Sequence, residues 1–212
     1  MEEFVTIEES TKVEAEVVEK KSKFIANIFY INSVAEADEI IKSVKKKYYD
    51  AKHNCIAYRV IDNEKVVERS SDDGEPSGTA GAPMLSILQK NNLCNILVIV
   101  TRYFGGILLG TGGLVKAYTD SAISVIENIN IINKSIGNKV KIEVSYNELD
   151  KLNYYLRQNN IKIYKNIFLQ NIEVFAEITQ EKLENLEKQK KELNFTILSI
   201  ETIEKNCYII VE

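Results

Sequence analysis

Both prolines of this 212-residue chain, Pro76 and Pro83, and eight of its nine glycines lie between Gly74 and Gly113. This concentration constrains the fold strongly, because Gly and Pro mark where a backbone leaves regular helix and strand. They fall in two stretches. "SDDGEPSGTAGAPM" (71–84) holds three carboxylates in four positions, Asp72, Asp73 and Glu75, together with both prolines. "TRYFGGILLGTGGL" (101–114) holds five glycines. The clustering points to two loops that build one site.

Around these loops the pattern is α+β. From Lys139 onward, "VKIEVSY" alternates as a strand, and "NELDKLNYYLRQNN" sets Leu149, Leu152, Tyr155 and Leu156 on one helical stripe, with Asn147 as the expected N-cap. "IKIYKNIFL" and "IEVFAEI" read as two strands joined near Gln170-Asn171. A helix opened by Thr179 and a final strand "SIETIEKNCYIIV" complete β-α-β-β-α-β, the ferredoxin-like order. In the front part, "KFIANIFYI" reads as a strand and Ser33 caps a helix running to Asp50. A hairpin turns at Asp62-Asn63, a short helix covers Ala82–Lys90, and "NILVIV" is a strand buried on both faces. The glycine loop then enters another helix. The expected domains are 1–130 and 138–212, joined through "INIINKSIGN" around Gly137.

Composition excludes several classes. No apolar run approaches the roughly 18–20 residues of a membrane span. Three well-separated cysteines, Cys55, Cys94 and Cys207, form neither a disulfide framework nor a metal spacing, which points to a reducing cytoplasm. The net charge of −4 argues against a generally basic coat, so any anion-binding surface is a local patch. No cofactor or metal motif is recognised.

Within the glycine loop, Gly105, Gly106, Gly110, Gly112 and Gly113 let backbone approach a ligand, and a helix N-terminus there favours an anion. In an open α/β sheet this position, beyond a buried strand, is where ligands sit. Arg102 and Lys116 would add positive charge. Two phosphate motifs fail: Thr111-Gly112 stand where a Walker loop needs Lys-Ser/Thr, and Val115 stands where a dinucleotide motif needs Gly. The same glycines also suit plain turns and close packing. The acids Asp72, Asp73 and Glu75 have several readings: solvated turn residues, a cap for the next helix, a hard-cation site, an acid and base, or partners for Arg102 or Lys116. His53, the sole histidine, shares a strand face with Cys55, which allows a nucleophilic pair or a packed Cys beside a hydrogen-bonded His. The run Lys45-Lys46-Lys47 suits a solvated helix end, with contact to nucleic acid as the alternative.

"SKFIA" (22–26), "HNCIAYR" (53–59), "SDDGEPSGTAG" (71–81) and "VTRYFGGILLGTGGLVKAY" (100–118) together resemble the YigZ/Impact family. Two departures stand out. Leu108 takes a place often basic in the family, which weakens a broad basic patch. Lys116 replaces an Arg, which keeps the charge but loses the guanidinium fork. The resemblance implies an N-terminal domain like the second domain of ribosomal protein S5. It implies a C-terminal domain like the fifth domain of elongation factor G. It also implies association with RNA, the ribosome or translation factors.

The leading expectation is a cytoplasmic, translation-associated binding protein. In it Arg102, Lys116 and the backbone of Gly105–Gly113 engage phosphate, while Asp72, Asp73 and Glu75 order the loops or contact a base edge. The alternatives are an enzyme on a small phosphorylated or peptide-like substrate, using the acidic loop with His53 or Cys55, and a protein-interaction module without nucleic acid. The expectation leans away from catalysis.

Overall fold

A computed structural model describes residues 3–63 and 65–211. The chain divides into two compact units, Glu3–Ile132 and the residues from Asn133 onward. It is a mixed α+β protein, and the described residues form two antiparallel sheets and five α-helices.

The first unit contains β1 (Glu3–Ile7), β2 (Lys12–Glu19), β3 (Ser22–Tyr30), α1 (Val34–Lys47), β4 (His53–Asp62), β5 (Lys65–Ser71), α2 (Gly81–Lys90), β6 (Ile96–Tyr103) and α3 (Gly110–Ile126). Strands β2-β3-β6-β4-β5 form one sheet in that order, and every pairing is antiparallel. The crevice rule for open parallel sheets therefore does not apply, although β6 is buried on both faces as its apolar run suggests. The two faces carry separate cores. Val98 and Val100 pack with Cys55, Met84, Leu88 and Tyr118 under α2 and α3, while Leu97 and Ile99 pack with Ile25, Ala37, Val44 and Tyr58 under α1. Ser33 caps α1 by accepting from the Glu36 amide.

The strands β1 and β2 were not expected from the acidic N-terminus. Their signal is present in "KVEAEVVE", whose side chains alternate between exposed and half-buried along β2. β1 is tied to the segment after α2, with the Val5 amide donating to the Asn92 carbonyl and the Cys94 amide to that of Val5.

The second unit contains β7 (Ile131–Val144), a short 3-10 turn (Tyr146–Glu148), α4 (Leu149–Gln158), β8 (Lys162–Phe168), β9 (Ile172–Ile178), α5 (Gln180–Gln189) and β10 (Ser199–Val211). Its strands stand in the order β10-β7-β9-β8. Leu152 and Leu156 are fully buried on α4, each contributing about 1.5–3 kcal/mol by burial. Thr179 caps α5 through the Lys182 amide. Two local expectations are corrected. Asn147 lies inside the 3-10 turn rather than capping α4, which has no side-chain cap. Residues 131–138, read as connector, are the first half of β7. Gly137 there answers to packing, since a Cβ would come within 2.4 Å of the Ile209 Cδ1.

Candidate functional site

Antiparallel register brings the site together at one end of the first sheet. Arg102 on β6 stands opposite His53 on β4 and opposite Phe24 on β3. Tyr118, about two turns into α3, meets this row edge-on, its ring 5.2 Å from that of Phe24. The acidic loop then drops Glu75 among them, with only 4% of its side chain exposed.

Glu75 is the hub. Its Oε1 accepts from Arg102 Nη1 at 2.6 Å and from the Tyr118 hydroxyl at 2.9 Å, and lies 3.9 Å from His53 Nε2. Arg102 Nη2 also reaches the Ser22 hydroxyl at 3.4 Å. The guanidinium lies 5.4 Å from the Phe24 ring centroid and 5.7 Å from that of Phe104, within cation–π range. Its Nε is buried and has no hydrogen-bond partner among the described residues. A carboxylate and a guanidinium this deeply buried compensate each other's charge, and removing either one leaves the other buried without its partner.

The other two acids serve the backbone. Asp72 accepts from the amides of Gly78 (2.9 Å), Ala80 (3.0 Å) and Gly81 (2.9 Å), which closes the N-terminus of α2. Burial opposes its charge, but these three amides prevail and hold the carboxyl below the usual aspartate range. Asp73, with φ of 44°, accepts from the Asn54 amide at 2.7 Å and from Lys45 Nζ at 2.7 Å. Its carbonyl faces His53 Nδ1 at 2.9 Å. The three carboxylates thus have three different sets of partners. Lys45, read as part of a solvated run, is the clamp on this loop.

Cys55 is fully buried and its thiol donates to the Asp72 carbonyl at 3.0 Å. Burial, reinforced by the negative charge of Glu75, Asp73 and Asp72 against a hydrogen bond with Tyr118, pushes the thiol up to about 12. That favours the packed-cysteine reading over a nucleophile. Burial likewise pushes the Tyr118 hydroxyl upward, so it stays protonated and donates.

The glycines separate by role. A Cβ on Gly105 would fall 2.0 Å from the Lys21 carbonyl carbon, so this residue lets the loop lie directly on the β2–β3 turn; its amide donates to Ser22 at 3.2 Å. Gly110 has φ of 74° and Gly106 of 83°, and Gly113 packs on Leu109. Gly112 is different: its φ is not left-handed and a Cβ there would meet nothing within 4 Å. The helix α3 that begins here has no side-chain cap and no acid in its first turn.

A cavity of about 440 Å³ opens between the two loops. Lys52, His53, Gly74, Glu75 and Pro76 line one side, and Phe104, Leu108, Leu109, Gly110, Thr111 and Leu114 the other, with Arg102 also in the wall. Lys116 is not part of this lining; it is exposed and paired with Asp120 one turn along α3. Sequence reasoning brought in Arg102, His53, Glu75 and Gly110, but missed Lys52, Ser22 and Tyr118. Tyr118 carried a signal, since it follows Leu114 at helical spacing on the buried stripe of α3.

The Impact N-terminal domain model matches residues 20–126, the span that holds every element of this cavity. The chain is 37% identical over 172 residues to IMPACT family member YvyE of Bacillus subtilis, covering 81% of this chain and 78% of that protein. It is 37% identical over 145 residues to IMPACT family member YigZ of Escherichia coli, covering 68% and 71%. A crystal structure of a hypothetical protein superposes with a TM-score of 0.61 at 30% identity, over 95% of this chain and 98% of the other. With half the chain matched by the domain model and relatives of this identity along most of its length, the chain belongs to the IMPACT family.

Proposed function

We propose that this chain is a translation-associated binding protein whose first unit holds an RNA phosphate at the mouth of the two-loop cavity. The observation that carries the reading is the start of α3: a helix N-terminus without a side-chain cap or a first-turn acid, whose Gly110 and Thr111 line the cavity. Such an end presents free amides and a partial positive charge to an anion. Lys52 adds an exposed cation to the cavity wall. Arg102 does not serve as a free cation, because Glu75 neutralises it; its part is to fix the wall. The resemblance to translation-related domains supplies the class of ligand.

The test is RNA binding over a salt series, with wild type and Lys52→Ala. Each neutralised phosphate contributes about −0.7 to the slope of log K against log salt on single strands. Lys52→Ala should reduce the magnitude of that slope by about 0.7 and weaken all sequences alike. If RNA binding and its slope are unchanged in this variant, while Lys46→Ala abolishes binding, the cavity is not the RNA site. A protein partner is the second reading, favoured by the loop tip, where Phe104 is 52% and Leu108 83% exposed. Partners recovered with the intact protein that survive nuclease treatment favour that reading; those that vanish favour RNA.

A further inference from the structure

The glycine loop opens with an exposed aromatic ring that has cations on both sides. Phe104 follows the last residue of β6 and stays 52% exposed, while the Arg102 guanidinium lies 5.7 Å from its ring centroid. Strand β6 runs between β3 and β4, so its neighbours stand about 10 Å apart at this end of the sheet. On the β4 side is Lys52, which lines the cavity together with Phe104. On the β3 side is the turn Lys20-Lys21, against whose backbone Gly105 lies directly. Both turn lysines are exposed and have positive φ, 44° and 66°. Asn-Gly suits such a two-residue turn better, so the lysines place charge where turn chemistry does not ask for it. Among the described residues Lys20, Lys21 and Lys52 have no ion-pair partner, whereas Lys45, Lys47 and Lys116 each hold a carboxylate.

We infer that this end of the first unit grips a single-stranded stretch of RNA, with Phe104 stacking on one base and Lys20, Lys21 and Lys52 taking the phosphates on either side of it. This rests on the proposed RNA reading and deepens it. The start of α3 and Lys52 attract phosphate from any strand, and Phe104 selects a strand whose bases are free. Stacking needs a base outside a duplex, and it tolerates every sequence because each base has a π face. Three cations without partners around the ring match a polyanion rather than an uncharged apolar partner.

Fluorescence anisotropy on the full chain compares a short labelled oligouridylate with the same labelled strand annealed to oligoadenylate. Wild type should bind the single strand more tightly than the duplex. Phe104→Leu, checked for folding by thermal melting, keeps an apolar side chain but removes the ring. It should weaken the single strand by about tenfold and leave the duplex affinity and the salt slope unchanged, while Phe104→Trp should retain the wild-type affinity. The double variant Lys20→Gln/Lys21→Gln should weaken both probes and lower the magnitude of the salt slope by about 0.7 for each phosphate released. Unchanged single-strand affinity in Phe104→Leu, or equal binding of strand and duplex by wild type, overturns the stacking inference and leaves the phosphate reading standing. No binding of either probe overturns both, and binding to vesicles containing phosphatidylserine in that case assigns the patch to a membrane surface.

Discussion

Helices α2 and α3 both begin just beyond an unusual loop, and their first turns have opposite chemistry. The start of α2 is closed by its own chain: Asp72 accepts from three amides around it, and Gly81 packs so tightly that a Cβ would sit 2.6 Å from the Ser71 amide nitrogen. The start of α3 has no carboxylate, no side-chain cap and, at Gly112, open space. One helix end is satisfied by a carboxylate of its own chain; the other has no side-chain cap. Glycine therefore packs beside an acid that closes the helix end in the first loop, and in the second it stands at a helix end that no side chain caps. Glu75 joins the two, reaching from the acidic loop to Arg102, which stands just before the glycine loop.

The largest effect should come from breaking that joint. Arg102→Ala leaves Glu75 charged and buried without its main partner, a situation that costs about 3–5 kcal/mol. Denaturant unfolding of the variant should show this loss directly. A loss below about 1 kcal/mol would mean the pair is solvated in solution and the two loops are not locked together. For the same reason Arg102→Ala is a poor probe of ligand contact, and Lys52→Ala a better one.

Opening the closed helix end should cost less. Asp72→Asn keeps the size of the side chain but removes the charge that holds three amides, and about 2 kcal/mol is expected, at the upper end for a lost cap. The effect is pH-dependent with a definite sign. The folded-state pKa of Asp72 lies below its ordinary value of 3.8, so its contribution is fully present above that value. It is lost as pH falls through the lowered folded pKa. The stability gap between wild type and Asp72→Asn should therefore be constant near neutrality and close in acid. A gap that widened on acidification would show that Asp72 is not held as the charged cap.

How much of this contrast is legible in the sequence differs between its parts. The repeating Leu pattern of α4 and α5 and the alternation of β7 and β9 are local, so one-dimensional periodicity reveals them. The capped starts at Ser33 and Thr179 are equally local. The concentration of glycines locates the two loops for the same reason. Which cation meets which acid is not local: Arg102 and Glu75 are 27 residues apart, and only the β4–β6 register and the turn after β5 bring them together. Lys116 looked equivalent to Arg102 in sequence, yet its place on α3 turns it to Asp120. The antiparallel sheet escaped notice because a strand buried on both faces reads alike in either kind of sheet. Gly105 and Gly112 are indistinguishable as letters, and only the position of the Lys21 backbone separates them.

That last pair gives the finest test of the contrast. Gly105→Ala must displace the Lys21 backbone and should destabilise the fold whatever the ligand. Gly112 lies within α3 with an ordinary φ and no neighbour for a Cβ, so Gly112→Ala meets no steric obstacle. Alanine is favoured over glycine in a helix by up to about 1 kcal/mol, and a gain of about 0.5–1 kcal/mol in unfolding free energy is expected. If the glycine serves close approach of a phosphate to the first turn, the same substitution should weaken RNA binding, and Gly112→Val should weaken it further. A more stable protein that binds less well would separate recognition from folding at one position. If both variants keep full affinity, the open end of α3 is not where the anion sits, and the contrast with α2 is one of packing alone.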